Sequence, residues 1–281
     1  MENVISPVNK QFVERAIRYI SAKHQIKNYR NMLWVAYGSY VINMNRLGSD
    51  LDVLAIHSKN DAIIKITDDF ENVPIHFMSL SDHILKDDGK ERMYGAYITG
   101  KIINPHIFLY GNQKLRKTAL LHSGQCIGPL AGYLSRQSAH IHLSDSAITA
   151  LVFISYLSTD PSFDSYFLHY FLSPSFSKLW RSLINTTIEM LQTAGEIKES
   201  KGIYMFTNPF KDYQSFHRER MKISARHWSY GAVCHNSDRT FQDQIYTKAE
   251  QKMKLSDPHG IKYKEMVKFL KYESGLSNIY I

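Results

Sequence analysis

Two short segments of this 281-residue chain carry residue types that do chemistry together. One is Val35-Ala36-Tyr37-Gly38-Ser39. The other follows after a spacer of ten residues and reads Asp50-Leu51-Asp52-Val53. Side chains alternate faces along a strand, so Asp50 and Asp52 share a face, about 6–7 Å apart along the chain. Two ionised carboxylates that close repel each other. A divalent cation between them removes the repulsion, and Mg²⁺ is commonly held by one or two carboxylates plus substrate phosphates. Upstream, Gly38 lets backbone come close to a phosphate. Ser39, read as opening a helix, offers a hydroxyl and backbone N–H groups to the same anion. Either half alone is also what a turn or a solvated loop looks like. Their joint occurrence between two strand-like runs describes a site for a metal ion and a triphosphate.

The elements that must position these residues follow from the apolar pattern. Ser6-Pro7 opens a helix, because the N–H that proline lacks has no partner in a first helical turn. Val8, Phe12, Ala16, Ile17 and Ile20 recur at helical spacing behind it. Leu33–Tyr37 is an apolar run of strand length, a polar loop or short helix spans residues 40–49, and Leu51–Ile56 is a second strand. Residues 63–66 and 73–78 read as two more strands. Pro74 cannot donate a ladder hydrogen bond, so that strand is expected to be an edge or to begin there. Beyond residue 80 the pattern turns helical, over residues 82–85, 91–99, 112–121, 144–157, 176–196, 211–230 and 241–254. The expected fold is α+β, a small mixed sheet with helices over residues 1–112, followed by a helical domain over 113–281.

Composition sets outer limits. Thirty-four Lys and Arg against 26 Asp and Glu leave a net charge of +8. Such a balance favours anionic partners such as nucleotides or nucleic acid. No apolar run reaches the roughly 18 residues of a membrane span, and the first residues show no basic-then-apolar leader. Cys126 and Cys234 are too few for a disulfide framework or a multi-cysteine zinc site. A cytoplasmic location and no membrane partner are the expectations. The two halves differ electrostatically, with acids concentrated in residues 61–91 and bases in 211–226. Arg218, Lys222 and Arg226 lie on one helical face, beside the aromatic residues Phe216, Trp228 and Tyr230. That pattern fits either an RNA-binding face or a solvated face with aromatic residues in the core.

The strand, the Gly38-Ser39 pair, the spacer and Ser49-Asp50-Leu51-Asp52-Val53 together resemble the nucleotidyltransferase superfamily that includes DNA polymerase beta, poly(A) polymerases and the aminoglycoside-modifying nucleotidyltransferases. The resemblance covers roughly residues 10–112. It implies that Asp50 and Asp52 hold two Mg²⁺ ions and that Gly38, Ser39 and Ser49 border the triphosphate of an NTP substrate. The implied reaction transfers a nucleoside monophosphate to a hydroxyl and releases pyrophosphate. RNA, tRNA or a nucleotide is the favoured acceptor, and a small antibiotic-like molecule is the alternative.

The chain departs from that family at one place. A third carboxylate usually comes from a neighbouring strand, and the 73–78 strand holds none. His76 stands there instead, as a general base, as a metal ligand, or as a plain half-buried strand histidine. Asp68, Asp69 or Glu71 could reach in from the preceding turn. The gap also admits a non-catalytic nucleotide-binding scaffold. Lys101, in Tyr94–Lys101, is read as a phosphate contact, and its plain alternative is a solvent-facing lysine.

Overall fold

A computed structural model describes residues 4–59, 63–139, 142–159, 163–233, 251 and 253–276. The chain is a mixed α+β protein. It opens with helix α1 (Pro7–Lys23), capped as the sequence predicts: the Ser6 hydroxyl accepts the Asn9 N–H at 3.2 Å. Strands β1 (Leu33–Tyr37), β2 (Leu51–His57), β3 (Ile64–Phe70), β4 (Val73–Ser81) and β5 (His106–Leu109) form one sheet in the order β3-β4-β2-β1-β5. β2 and β4 run parallel, and the other neighbours are antiparallel. Pro74 lies in the first turn of pairing of β4, as its missing donor requires, but β4 is an interior strand and not an edge.

The two faces of the sheet are buried against different partners. Trp34, Ala36, Val53, Ala55 and Phe77 pack under α1, on Val13, Ala16, Ile17 and Ile20. Val8, expected on that stripe, is exposed instead. The opposite face carries Leu33, Val35, Leu54, Ile56, Met78 and Leu80. It is covered by Leu85 of α2 (Asp82–Glu91), Ile102 of α3 (Gly100–Ile103), and Leu115 and Ala119 of α4 (Gln113–Gln137). The first turns of α4 therefore belong to the sheet core, and its later turns join a separate helical core.

That second core draws on α4, α5 (Asp145–Leu157), α6 (Phe163–Phe171), α7 (Phe176–Thr193) and a last helix, α9 (Ile261–Ser274). Phe153, Phe167 and Trp180 are buried at its centre. α8 (Tyr213–Val233) precedes α9. Two short strands, β6 (Ile197–Ser200) and β7 (Ile203–Phe206), pair where the sequence pattern predicts only the end of a helix. The predicted helix over 91–99 is a series of turns, because Arg92, Gly95 and Ala96 adopt left-handed backbone. Most of the helix expected over 241–254 lies outside the described residues. Among the described residues, no helix is long and apolar enough to cross a membrane.

Candidate active site

The apolar rows of the sheet end in polar residues at one rim, and this creates the site. On the α2–α4 face, the row through Val35 continues to Tyr37, that through Leu54 to Asp52, and that through Met78 to His76. Backbone register places these side by side: Tyr37 opposite Asp52, and Asp52 opposite His76. The row extends to Thr67 on β3 and His106 on β5. His106 is buried, and burial pushes its pKa down to about 4, so it is neutral near pH 7.

Asp50 and Asp52 converge as period-2 alternation requires. His76 Nδ1 lies 3.1 Å from Asp50 Oδ2 and 3.8 Å from Asp52 Oδ1. Each of the three side chains offers a ligand atom within 4.8 Å of the others. Asp50 and His76 are about half exposed, at 48% and 49%, and Asp52 is 28% exposed. The group therefore faces solvent and can receive a ligand. Two carboxylates and an imidazole suit a divalent cation, and phosphate oxygens or water could fill its remaining positions.

Gly38 is shaped by the same centre. Its φ is +81°, and a Cβ there would stand 3.0 Å from Asp52 Oδ2. Glycine is needed both for the turn and to leave the carboxylate open. Ser39 does not begin a helix as expected. Residues 38–44 wind through successive turns, with Val41 N–H donating to Gly38 C=O and Met44 N–H to Ser39 C=O. Tyr40, Val41 and Ile42 are buried, so this stretch is packed and not a polar loop. α1 pins it. Asn9 Nδ2 donates to Tyr40 C=O at 3.0 Å and to Asn45 Oδ1 at 2.8 Å, and Phe12 stacks on Tyr40. The Ser49 hydroxyl accepts the Arg46 N–H at 2.8 Å and so closes the turn that leads into Asp50.

Lys101 is half-buried, not a solvent-facing lysine. Its ammonium lies 4.5 Å from the Tyr37 ring centre and 4.3 Å from that of Tyr97. Burial opposes its charge, but Tyr37, Tyr97 and the Asp52 carboxylate outweigh burial and raise its pKa. Burial likewise raises the pKa of Tyr37. The ring faces and Asp52 hold the cation there. Lys65 Nζ lies 5.2 Å from the Tyr97 ring centre, so two lysines converge on that tyrosine.

Asp88 places the loop that carries Tyr97, and the sequence reading missed it. It is fully buried on α2. Its carboxylate accepts N–H groups from Tyr94, Ala96, Ile98 and Thr99, plus the Thr99 hydroxyl, at 2.9–3.1 Å. Burial raises its pKa above the ordinary carboxylate value, and these donors act against that rise. Every partner is a donor, the pattern that matches an ionised carboxylate. Its sequence neighbours Asp87 and Lys90 make it read as part of a solvated acidic stretch. The one available signal is the next residue, Gly89, where a Cβ would meet His122 backbone at 2.5 Å and so marks close helix packing.

Of the other candidate acids, Asp68 and Glu71 are engaged elsewhere, and Asp69 lies exposed on β3 opposite Pro74. Asp68 is bonded to Lys23 at 2.6 Å and to His24 at 2.9 Å, and Glu71 pairs with Arg15 at 2.8 Å. The basic face of α8 is partly consumed. Arg226 donates to the Glu91 and Arg92 carbonyls, and Lys222 lies 3.6 Å from Glu219. Phe216 is buried and stacked on Tyr133, so it fills the core. Two cavities of about 510 and 500 Å³ at the start of α4, lined by Lys114, Lys117 and Arg116 among others, share no residue with the Asp50–Asp52–His76 group.

No family model matches the chain, and no curated protein matches it either.

Proposed function

We propose that this protein is a metal-dependent nucleotidyltransferase acting at Asp50, Asp52 and His76. The observation that carries the reading is the convergence of those three side chains on one solvent-facing point beside Gly38. Asp50 and Asp52 hold the cation, Mg²⁺ in the resemblance, with two ions expected. Bound there, it supplies charge neutralisation of the phosphates and acidifies the acceptor hydroxyl. Gly38 and Ser39 leave backbone close to the triphosphate, and Lys101 offers a fixed positive charge on the same flank. In the reaction the acceptor oxygen bonds to the α-phosphorus, the bond to the pyrophosphate oxygen breaks, and the hydroxyl proton passes to a base at the site.

RNA, tRNA or a nucleotide remains the favoured acceptor because of the net charge of +8. The engagement of Arg226 and Lys222 weakens the α8 contribution to that preference and leaves a small hydroxylated acceptor as the alternative. A non-catalytic nucleotide-binding scaffold is a second reading. It is favoured by the absence of an acid on β4 and by the engagement of Asp68 and Glu71 elsewhere. One assay separates them: pyrophosphate release from each NTP, with divalent metal and either RNA or small polyhydroxylated acceptors. The enzyme reading expects release that disappears in Asp50→Asn and Asp52→Asn. Metal-dependent nucleotide binding without release from any acceptor supports the scaffold.

A further inference from the structure

We propose that Asp50, Asp52 and His76 form a mixed nitrogen–oxygen cation site that prefers Mn²⁺ to Mg²⁺. This rests on the metal-site part of the functional reading and adds the identity of the ion.

Three observations carry it. First, the nitrogen that meets both carboxylates is Nδ1 of His76, at 3.1 and 3.8 Å. Two donors each about 2.1 Å from one octahedral ion, at right angles, stand about 3 Å apart. The Asp50–His76 separation is that of a direct ion-pair contact, and it equals the spacing of two ligands that share an ion, so a cation could replace the shared proton with little movement. Second, the histidine is placed by the sheet and not by a loop. Asp52 and His76 are register partners on the parallel strands β2 and β4, and β4 is held on its other side by β3. The imidazole is therefore a fixed part of the site. Third, among the described residues the group that could hold an ion is Asp50, Asp52 and His76, with no further acid in it. Asp68 is turned to Lys23 and His24, Glu71 to Arg15, and residue 74 is a proline.

The chemistry then decides between ions. Mg²⁺ favours oxygen ligands and near-ideal octahedral geometry. Mn²⁺ suits carboxylate and water ligands as Mg²⁺ does, but as a transition-metal ion it binds an imidazole nitrogen more readily than Mg²⁺ does. With two carboxylates and one imidazole, replacing the imidazole by a carboxylate should favour Mg²⁺, and removing it should weaken Mn²⁺ more than Mg²⁺. His76 is half exposed, so neither change opens a core cavity.

The test titrates the full-length protein with Mn²⁺, following the loss of the free-ion electron paramagnetic resonance signal, with Mg²⁺ as competitor, both with and without a non-hydrolysable NTP. Wild type, His76→Asp and His76→Ala are compared after circular dichroism shows that each is folded. The expected result is a Mn²⁺:Mg²⁺ affinity ratio that falls about tenfold or more in both variants. A ratio independent of residue 76, or no Mn²⁺ binding that depends on Asp50 and Asp52 under either condition, overturns the proposal. Pyrophosphate release measured in parallel keeps the two ideas apart. Asp-dependent release with an unchanged ratio would sink the metal preference and spare the enzyme. A ratio that depends on His76, with no release from any acceptor, would support the site and sink the enzyme.

Discussion

Asp52 and His76 are direct partners across the parallel β2–β4 pair, and the His76 Nδ1 that faces Asp52 at 3.8 Å faces Asp50 at 3.1 Å. Asp52 on β2 and Asp50, the residue just before that strand, thus meet a nitrogen placed by β4. The Asp52–His76 part of the site is held by paired backbone, and Asp50 is carried by the turn that leads into β2. The changes below probe the parts that surround it.

Gly38→Ala should damage both stability and ligand binding. The residue has φ +81°, where a Cβ is strained by ~1–2 kcal/mol. The added methyl would also press on Asp52 Oδ2. A lowered Tm together with weaker metal–nucleotide binding by calorimetry is the expected pair of results. A drop in Tm with unchanged affinity would assign Gly38 to the turn alone.

Lys101→Met keeps the length of the side chain and removes its charge. If the ammonium between Tyr37 and Tyr97 serves the triphosphate, KM for NTP should rise about tenfold while kcat changes less. Steady-state kinetics of pyrophosphate release read this directly. An unaltered KM would make Lys101 a structural cation that balances Asp52.

Asp88→Ala should be the most destabilising of these changes. It leaves four backbone N–H groups and the Thr99 hydroxyl without the acceptor they share. A loss of ~3 kcal/mol or more is expected from urea unfolding. A loss below ~1 kcal/mol would mean that the loop finds other acceptors.

Asp68 gives a pH signature away from the site. Its hydrogen bonds from Lys23 and His24 hold its pKa at about 2, below the ordinary 3.8. A depressed folded pKa means that the ionised carboxylate is favoured by folding. Its stabilisation is complete above 3.8 and is lost as pH falls from 3.8 towards 2. Asp68→Asn should therefore lower stability at neutral pH and make little difference near pH 2. Equal effects at both pH values in denaturant titrations would show that charge is not what Asp68 contributes.

The parts of the fold set by local chemistry were legible in the sequence. Ser6-Pro7 marks the start of α1, and the apolar runs at 33–37 and 51–56 are β1 and β2. The Asp50–Asp52 pairing followed from alternation alone. What depended on distant contacts was not legible. α4 runs to Gln137, well past its expected end at 121. Beyond that expected end, Gly124, Gly128 and Gly132 let Ala194, Glu196 and Phe206 approach one face of the helix. The β6–β7 hairpin did carry a signal, the glycine of Lys201-Gly202, and in the structure both residues take positive φ in a two-residue turn. Lys101 could not be placed, because Tyr37 and Tyr97 reach it from different elements.

The most direct measurement is calorimetric binding of a non-hydrolysable NTP with divalent metal to wild type and to the double variant Asp50→Asn/Asp52→Asn. Both carboxylates are solvent-accessible, so the variant should fold normally. The account predicts metal-dependent binding to wild type and a loss of about a hundredfold or more in the variant. Equal affinity in the two folded proteins would contradict it.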